Sequence, residues 1–212
     1  MPQSHLLSER EKALEELFFR KENERLIEAM RARKTREEQL EKLSEALGVD
    51  SPPIVETLLD LGLRETNVTA LMLAPLVTVA WADRQLHPDE RRSILKAEHD
   101  LGIDPKSDAG KLLELWLDHR PHESLFDAWK AYVHELARKM PPEERAKLRD
   151  EILSRARRIA HAVEKTLLRG EGPTESEQRV LDEIEAAFEV PADGSGKGSG
   201  GGGLDQAICS TT

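Results

Sequence analysis

The chain has 212 residues, of which 38% are hydrophobic, 34% are charged and only 4% are aromatic. This length and apolar share suffice for one good-sized domain or two small ones. Abundant Leu, Ala, Glu, Lys and Arg favour helices over sheets. The formal net charge of -10 argues against binding to nucleic acid or to an anionic membrane surface, because the field of the whole molecule repels phosphates.

The cysteine count and the hydropathy of the chain indicate the cellular compartment in which the protein is expected. The single cysteine, Cys209, excludes an intrachain disulfide framework and a cysteine-based metal cluster. The first residues lack a basic segment followed by a continuous apolar run, so no secretory signal is expected and a cytoplasmic protein is predicted. The oiliest stretch, residues 68–82, is shorter than the roughly 20 residues of a membrane-spanning helix, and Pro75 interrupts it. It predicts a buried helix instead.

The first predicted helix covers residues 8–33. Ser8 lies three residues before Glu11, which is the spacing of a capping box. The apolar side of this helix is either buried against the body of the protein or offered to a protein partner. In the second case the protein is an adaptor that binds through this helix. The candidate partner-binding residues are Leu14, Phe18, Ile27 and Met30.

Proline and glycine punctuate the rest of the chain into further helices. They are predicted at about residues 35–48, 51–62, 67–82, 87–102, 105–121, 125–140, 141–168 and 174–188. The sequence "PADGSGKGSGGGG" has the composition of a linker. We therefore predict an N-terminal helical extension over residues 1–65, a helical bundle over 66–190 and a disordered Gly/Ser-rich tail over 191–212.

Two segments of the chain align when the sequence is shifted by about 87 residues. The shift places Glu90 on Glu177 and Ile94 on Leu181. Each copy consists of a turn, an acidic helix start and a helix with apolar residues at the same positions. The repeat predicts an all-α bundle of two pseudo-symmetric halves, to which the N-terminal helices are appended.

The first copy carries a short motif. "AWADRQLHPDER", residues 80–91, resembles the A-x-A-D-G-x-hydrophobic-x-x-x-E signature of TerB-like tellurite-resistance domains, and "EGPTESEQRVLDEIEAAF" resembles its second half. The resemblance covers roughly residues 66–190. It implies an all-α bundle of two similar halves, no enzymatic activity, a role in stress and tellurite responses, and acidic residues that bind a divalent metal.

This sequence departs from the TerB-like pattern at two places. Arg84 replaces the glycine after the Asp, so a left-handed backbone conformation costs more at that position. In the second half, residues 169–171 read Arg-Gly-Glu where an Asp is expected. These departures argue against metal binding by both halves.

A second, shorter resemblance lies near the N-terminus. "REKALEELF", residues 10–18, resembles the start of the ATPase-inhibitor zeta family. The residues after it do not follow that pattern. We therefore do not expect ATPase inhibition.

The acidic turn after the apolar run offers three carboxylates, those of Asp83, Asp89 and Glu90. Hard oxygen ligands of this kind suit Ca²⁺, Mg²⁺ or Mn²⁺. An EF-hand is excluded, because counting from Asp83 puts Ile94 at loop position 12, where a bidentate Glu is required. In the alternative interpretation Asp83 closes one helix, while Asp89 and Glu90 stabilise the N-terminus of the next. The sequence leaves both interpretations open.

Catalytic patterns are missing from the sequence. It has no Ser-His-Asp or Cys-His arrangement, and "GSGKGS" at residues 194–199 lacks the Ser or Thr that must follow the Lys of a phosphate loop. Trp81, Trp116 and Trp129 lie in apolar helices and are predicted to be core anchors. The basic stretch 145–169 is interpreted as a solvated helix face. We expect a noncatalytic stress-response protein, with the adaptor as the alternative.

Overall fold

A computed structural model describes residues 3–162 and 173–190, with side chains from residue 16 onward. Eight α-helices and one 3-10 helix make up the secondary structure of these residues, which contain no strand. The 3-10 helix is Val68–Leu73. The α-helices are α1 (Gln3–Leu47), α2 (Pro52–Asp60), α3 (Ala74–Ala80), α4 (Pro88–Asp100), α5 (Asp108–Asp118), α6 (Ser124–Lys139), α7 (Pro142–Ala160) and α8 (Glu175–Ala186). The predicted all-α class is confirmed.

The first helix, α1, is continuous over 45 residues, which makes it about 68 Å long at 1.5 Å per residue. The prediction of two helices was wrong, and Ser8 lies inside α1 rather than at its N-cap. No Gly or Pro interrupts the sequence there, so nothing stops helix propagation. Ion pairs also span the expected break, with Arg33 3.1 Å from Glu37 and Lys34 3.8 Å from Glu38. Each exposed pair adds only tenths of a kcal/mol.

The apolar stretch of residues 68–82 lies at the centre of the bundle. It was predicted as one helix, but the 3-10 helix gives way to α3 next to Pro75. Proline is tolerated in the first turn of a helix and breaks the hydrogen-bond ladder further in. Helix α3 packs against α4, α6, α7 and α8. A helix with neighbours on every side must be apolar all round, which explains the hydrophobic composition of this stretch.

The hydrophobic core runs across the expected domain boundary at residue 65. Leu43 and Leu47 of α1 and Leu58 of α2 belong to the same buried cluster as the residues of the later helices. Helix α2 packs against α6, and the Tyr132 hydroxyl donates a hydrogen bond of 3.4 Å to the carbonyl of Leu47. The C-terminal end of α1 and the whole of α2 are therefore part of the bundle.

Two of the three tryptophans are buried core anchors, as predicted. The ring of Trp129 stacks on Phe126 with 5.7 Å between centroids, and meets the edge of Phe188 at 6.3 Å. Trp116 is buried in α5. The third, Trp81, is half-buried, and its indole N–H donates to the carbonyl of Trp116 over 2.9 Å. This bond joins the end of α3 to α5.

Some predictions fall on residues that the structure does not describe. Helix α7 ends at Ala160, and residues 163–172, where its continuation to about residue 168 was predicted, lie outside the described residues. The predicted tail, 191–212, also lies outside them. Within the described ranges, no helix combines the length and the apolar character needed to cross a bilayer.

Candidate functional site

The turn between α3 and α4 is held by local hydrogen bonds. The Arg84 N–H donates to the carbonyl of Trp81 over 2.9 Å, and the Asp83 carboxylate accepts from the Gln85 N–H over 3.0 Å. Arg84 has a φ of 69°, in the left-handed region. Arg84 thus occupies a backbone conformation that glycine adopts freely and that a residue with a side chain adopts at some cost.

Helix α4 begins with a capping box in which His87 is the N-cap residue. The Nδ1 atom of His87 accepts from the Asp89 N–H over 3.2 Å, and the Glu90 carboxylate accepts from the His87 N–H over 2.8 Å. The N–H groups of His87 and Asp89, which have no carbonyl partner within the helix, thereby gain acceptors. Asp89 also forms an ion pair with Arg92. The Glu90 contact is of the kind that the capping interpretation predicts, whereas the Asp83 carboxylate bonds within the loop beyond α3, whose C-cap residue is Trp81.

Helix α8 begins in the same way as α4. Thr174 is its N-cap residue, and its hydroxyl accepts from the Glu177 N–H over 3.3 Å. The Glu177 carboxylate accepts from the Thr174 N–H over 2.6 Å. Glu90 and Glu177 therefore hold the same position in two capping boxes, as the shift of about 87 residues aligned them.

The two capping-box glutamates meet in the interior. Glu90 is 3% exposed and Glu177 is 6% exposed. The pKa of Glu90 is raised from 4.5 to about 7, chiefly by burial. The charges of Glu177 and Asp83 raise this pKa as well, while the hydrogen bond from the His87 N–H lowers it. A hydrogen-bonding interaction with the Glu177 side chain, which favours the protonated form of Glu90, also raises the pKa of Glu90.

The three predicted metal ligands lie in three environments. Asp83 is exposed, Asp89 is part-buried beside Arg92, and Glu90 is buried beside Glu177. The part of the chain that the structure describes contains no group of three or more His, Cys, Asp or Glu side chains arranged to hold a metal. Sequence reasoning missed the contact between Glu90 and Glu177. The signal was the internal alignment, which placed one residue on the other.

The second candidate site is the exposed segment of α1. Every residue from 16 to 38 is exposed, and α1 becomes buried only toward its C-terminal end, at Leu43 and Leu47. The segment therefore does not pack on the bundle, which was one of the two expectations for it. Six large apolar side chains in it are between 45% and 66% exposed: Leu17, Phe18, Phe19, Leu26, Ile27 and Met30.

The predicted partner-binding residues of α1 do not share one face. At 100° per residue, Phe18 and Ile27 lie about 180° apart around the helix. The side chain of Leu14 lies outside the described ones. Phe19, Leu26 and Met30 fall within about 40° of one another and form what we call the Phe19 face. It replaces the predicted anchor set, of which only Met30 remains.

A groove with a volume of about 750 Å³ lies between α4 and α7. Part of the basic stretch singled out in the sequence borders it. The charged side chains that line it are Asp89, Arg92, Lys96, Asp100, Arg155, Arg157 and Arg158. Two carboxylates thus lie among the cations, and Arg155 is also paired with Glu151 at 2.7 Å. Carboxylates of the protein itself therefore offset much of the positive charge of this groove.

No family model, no curated protein and no solved structure matches this chain. The described residues therefore define a class of protein by their architecture: an all-α bundle with a buried glutamate pair and a long first helix that extends beyond the bundle.

Proposed function

We propose that this protein is a cytoplasmic, noncatalytic protein of TerB-like architecture that binds a protein partner through the Phe19 face of α1. The observation that carries the proposal is the exposure of Phe19, Leu26 and Met30, at 62%, 60% and 66%, together on one side of a helix that is rich in charged residues. Apolar residues grouped within a polar rim are typical of interaction sites.

Burial of this face contributes favourable free energy to binding. A large apolar side chain gains about 1.5 to 3 kcal/mol when it is fully buried. Spacings of seven and four residues place Phe19, Leu26 and Met30 along one stripe, as in helices that lie in an apolar groove. Because these side chains already stand clear of the bundle, their removal weakens binding without opening a cavity in the core.

The test uses the full-length chain as bait in an extract of the source cells. Leu26→Lys combined with Met30→Lys removes the Phe19 face. The matched control is Leu115→Lys, since Leu115 of α5 is also exposed, at 54%. We expect proteins captured by the wild type and by the control to be lost with the double variant. Capture of the same proteins by all three baits would refute the proposal.

A second candidate function is divalent-metal binding in a stress or tellurite response, as the TerB-like resemblance implies. The favouring observation is the buried pair Glu90 and Glu177, with Asp83 close enough to raise the pKa of Glu90. A hard cation would relieve the repulsion between the deprotonated carboxylates. On this proposal Glu177 joins the ligand set and Asp89, paired with Arg92, leaves it.

Thermal unfolding at pH 8 tests the metal proposal, because an ion that binds only the folded state raises the melting temperature. Millimolar Ca²⁺, Mg²⁺ or Mn²⁺ should raise it relative to a chelator in the wild type, and Glu90→Gln should abolish the rise. Asp108→Asn is the control, since Asp108 is an exposed first-turn carboxylate of α5. Identical wild-type curves with cation and with chelator would remove this candidate.

A further inference from the structure

We propose that the partner of the Phe19 face is a second copy of this chain, paired antiparallel with the first through α1. The inference rests on the proposed function, because it names the occupant of the same face.

The Phe19 face is the centre of a longer repeat. The residues of this longer repeat follow one another at alternating spacings of three and four, which is the spacing of a coiled-coil seam. We call these residues the α1 seam: Glu16, Phe19, Asn23, Leu26, Met30, Arg33 and Glu37. All of them are exposed. The seam is apolar in the middle and charged at both ends.

One antiparallel register matches these residues with their complements. With the twofold axis between residues 24 and 25, Phe19 lies opposite Met30 of the second copy, and Leu26 lies opposite Asn23. The symmetry repeats both layers, so four central layers each contain at least one large apolar side chain. An asparagine within such a seam disfavours other registers, because shifting the helices places it against different neighbours.

Charge complementarity selects the antiparallel orientation. In this register Glu16 lies opposite Arg33 of the second copy at both ends of the apolar centre. A parallel pair in register would instead set Glu16 against Glu16 and Arg33 against Arg33. Like charges facing each other at an interface are strongly unfavourable.

The length of the overlap agrees with the exposed length of α1. The register pairs residues 12–37 of each copy, about 38 Å of helix at 1.5 Å per residue. Residues 16–38 are the exposed ones, and half-buried Leu40 already packs against the core. Arg36, paired with Asp60 of α2 at 2.9 Å, marks where the bundle begins. The seam residues therefore lie in the part of α1 that precedes its contacts with the core.

The decisive experiment is sedimentation of the purified full-length chain over a range of concentrations. We expect a monomer–dimer equilibrium. Glu16→Arg or Arg33→Glu alone should raise the dissociation constant at least about tenfold, since each creates like-charge layers. The two substitutions together should restore it. Arg25→Glu is the matched control, because Arg25 also loses an intrahelical pair, with Glu22 at 3.8 Å, but lies off the seam.

A distance measurement gives a second readout that needs no charge reversal. In a chain with Thr35→Cys and Cys209→Ser, a spin label at position 35 points away from the seam. Antiparallel pairing separates the two labels by about 30 Å along the axis, whereas a parallel pair leaves them at about the same height. Because both labels point outward, a parallel pair sets them roughly 25 Å apart across the two helices and the antiparallel pair roughly 40 Å apart. A label-to-label distance below about 30 Å would overturn the orientation.

The outcomes separate this inference from the proposed function. A purified chain that stays monomeric at high micromolar concentration overturns the pairing, and so does a dimer that is insensitive to both single charge reversals. Neither result affects capture of other proteins from the extract through Leu26 and Met30. If the extract experiment fails while the purified chain dimerises as described, the face serves self-association alone.

Discussion

Replacing Glu90 by glutamine should make the protein more stable at alkaline pH. The pKa of Glu90 is raised from 4.5 to about 7 in the folded protein, chiefly by burial. Its contribution to stability is therefore fully present below about pH 4.5 and is lost as the pH rises through about 7. A rise of this size corresponds to on the order of 3 kcal/mol.

Glutamine reproduces the protonated state of Glu90 at every pH. Its carbonyl oxygen accepts from the His87 N–H, as the carboxylate does at 2.8 Å, and its amide donates to Glu177. We expect Glu90→Gln to match the wild type near pH 5 and to exceed its free energy of unfolding by roughly 2 to 3 kcal/mol at pH 8.

Urea unfolding followed by circular dichroism, in the presence of a chelator, measures this difference at both pH values. Asp108→Asn serves as the control, because it also replaces a first-turn carboxylate by an amide, but at an exposed position of α5. A Glu90→Gln effect that is equal at pH 5 and pH 8 would refute the argument, since it would mean that burial does not disfavour the charged carboxylate.

Three further substitutions test other parts of the fold. At position 84, where φ is 69°, Arg84→Gly should be more stable than Arg84→Ala by about 1 kcal/mol in thermal or urea unfolding, and equal stabilities would contradict the strain. Gly110→Ala would place a Cβ 2.6 Å from the Asp104 carbonyl oxygen, so it should cost roughly 1 to 3 kcal/mol of unfolding free energy; a neutral result would show that the loop yields. Phe18→Ala should change stability by less than about 0.5 kcal/mol, because Phe18 is 63% exposed; a loss of roughly 3 to 5 kcal/mol would mean that it is buried in solution.

Features set by neighbouring residues could be predicted from the sequence. Pro88 and Glu90 at the start of α4, and Thr174 and Glu177 at the start of α8, are local signals, and the helices begin where these residues place them. The apolar stretch around Pro75 is buried for the same kind of reason, since its composition suits no other environment.

Other features could not be predicted from local signals. The continuity of α1 follows from the absence of any strong helix breaker, and Thr35 is too weak a signal to place a boundary. The expected partner-binding stripe ignored the phase of the helix, which separates Phe18 from Ile27. The contact between Glu90 and Glu177 depends on how α4 and α8 lie against α3 and α7. The internal alignment indicated that Glu90 and Glu177 are equivalent residues, but it gave no information on the distance between them.

The continuity of α1 fixes the rotational phase between the bundle and its binding face. Leu43 and Leu47 are seated in the core, and no glycine or proline separates them from Met30. In a helix, each added residue turns everything beyond it by about 100° and lifts it by about 1.5 Å. One residue inserted after position 38 would therefore point the Phe19 face in a different direction, whereas an insertion of seven residues would nearly restore the direction and lengthen the reach by about 10 Å. The number of residues between the core and the Phe19 face therefore sets the orientation, relative to the bundle, of whatever is bound.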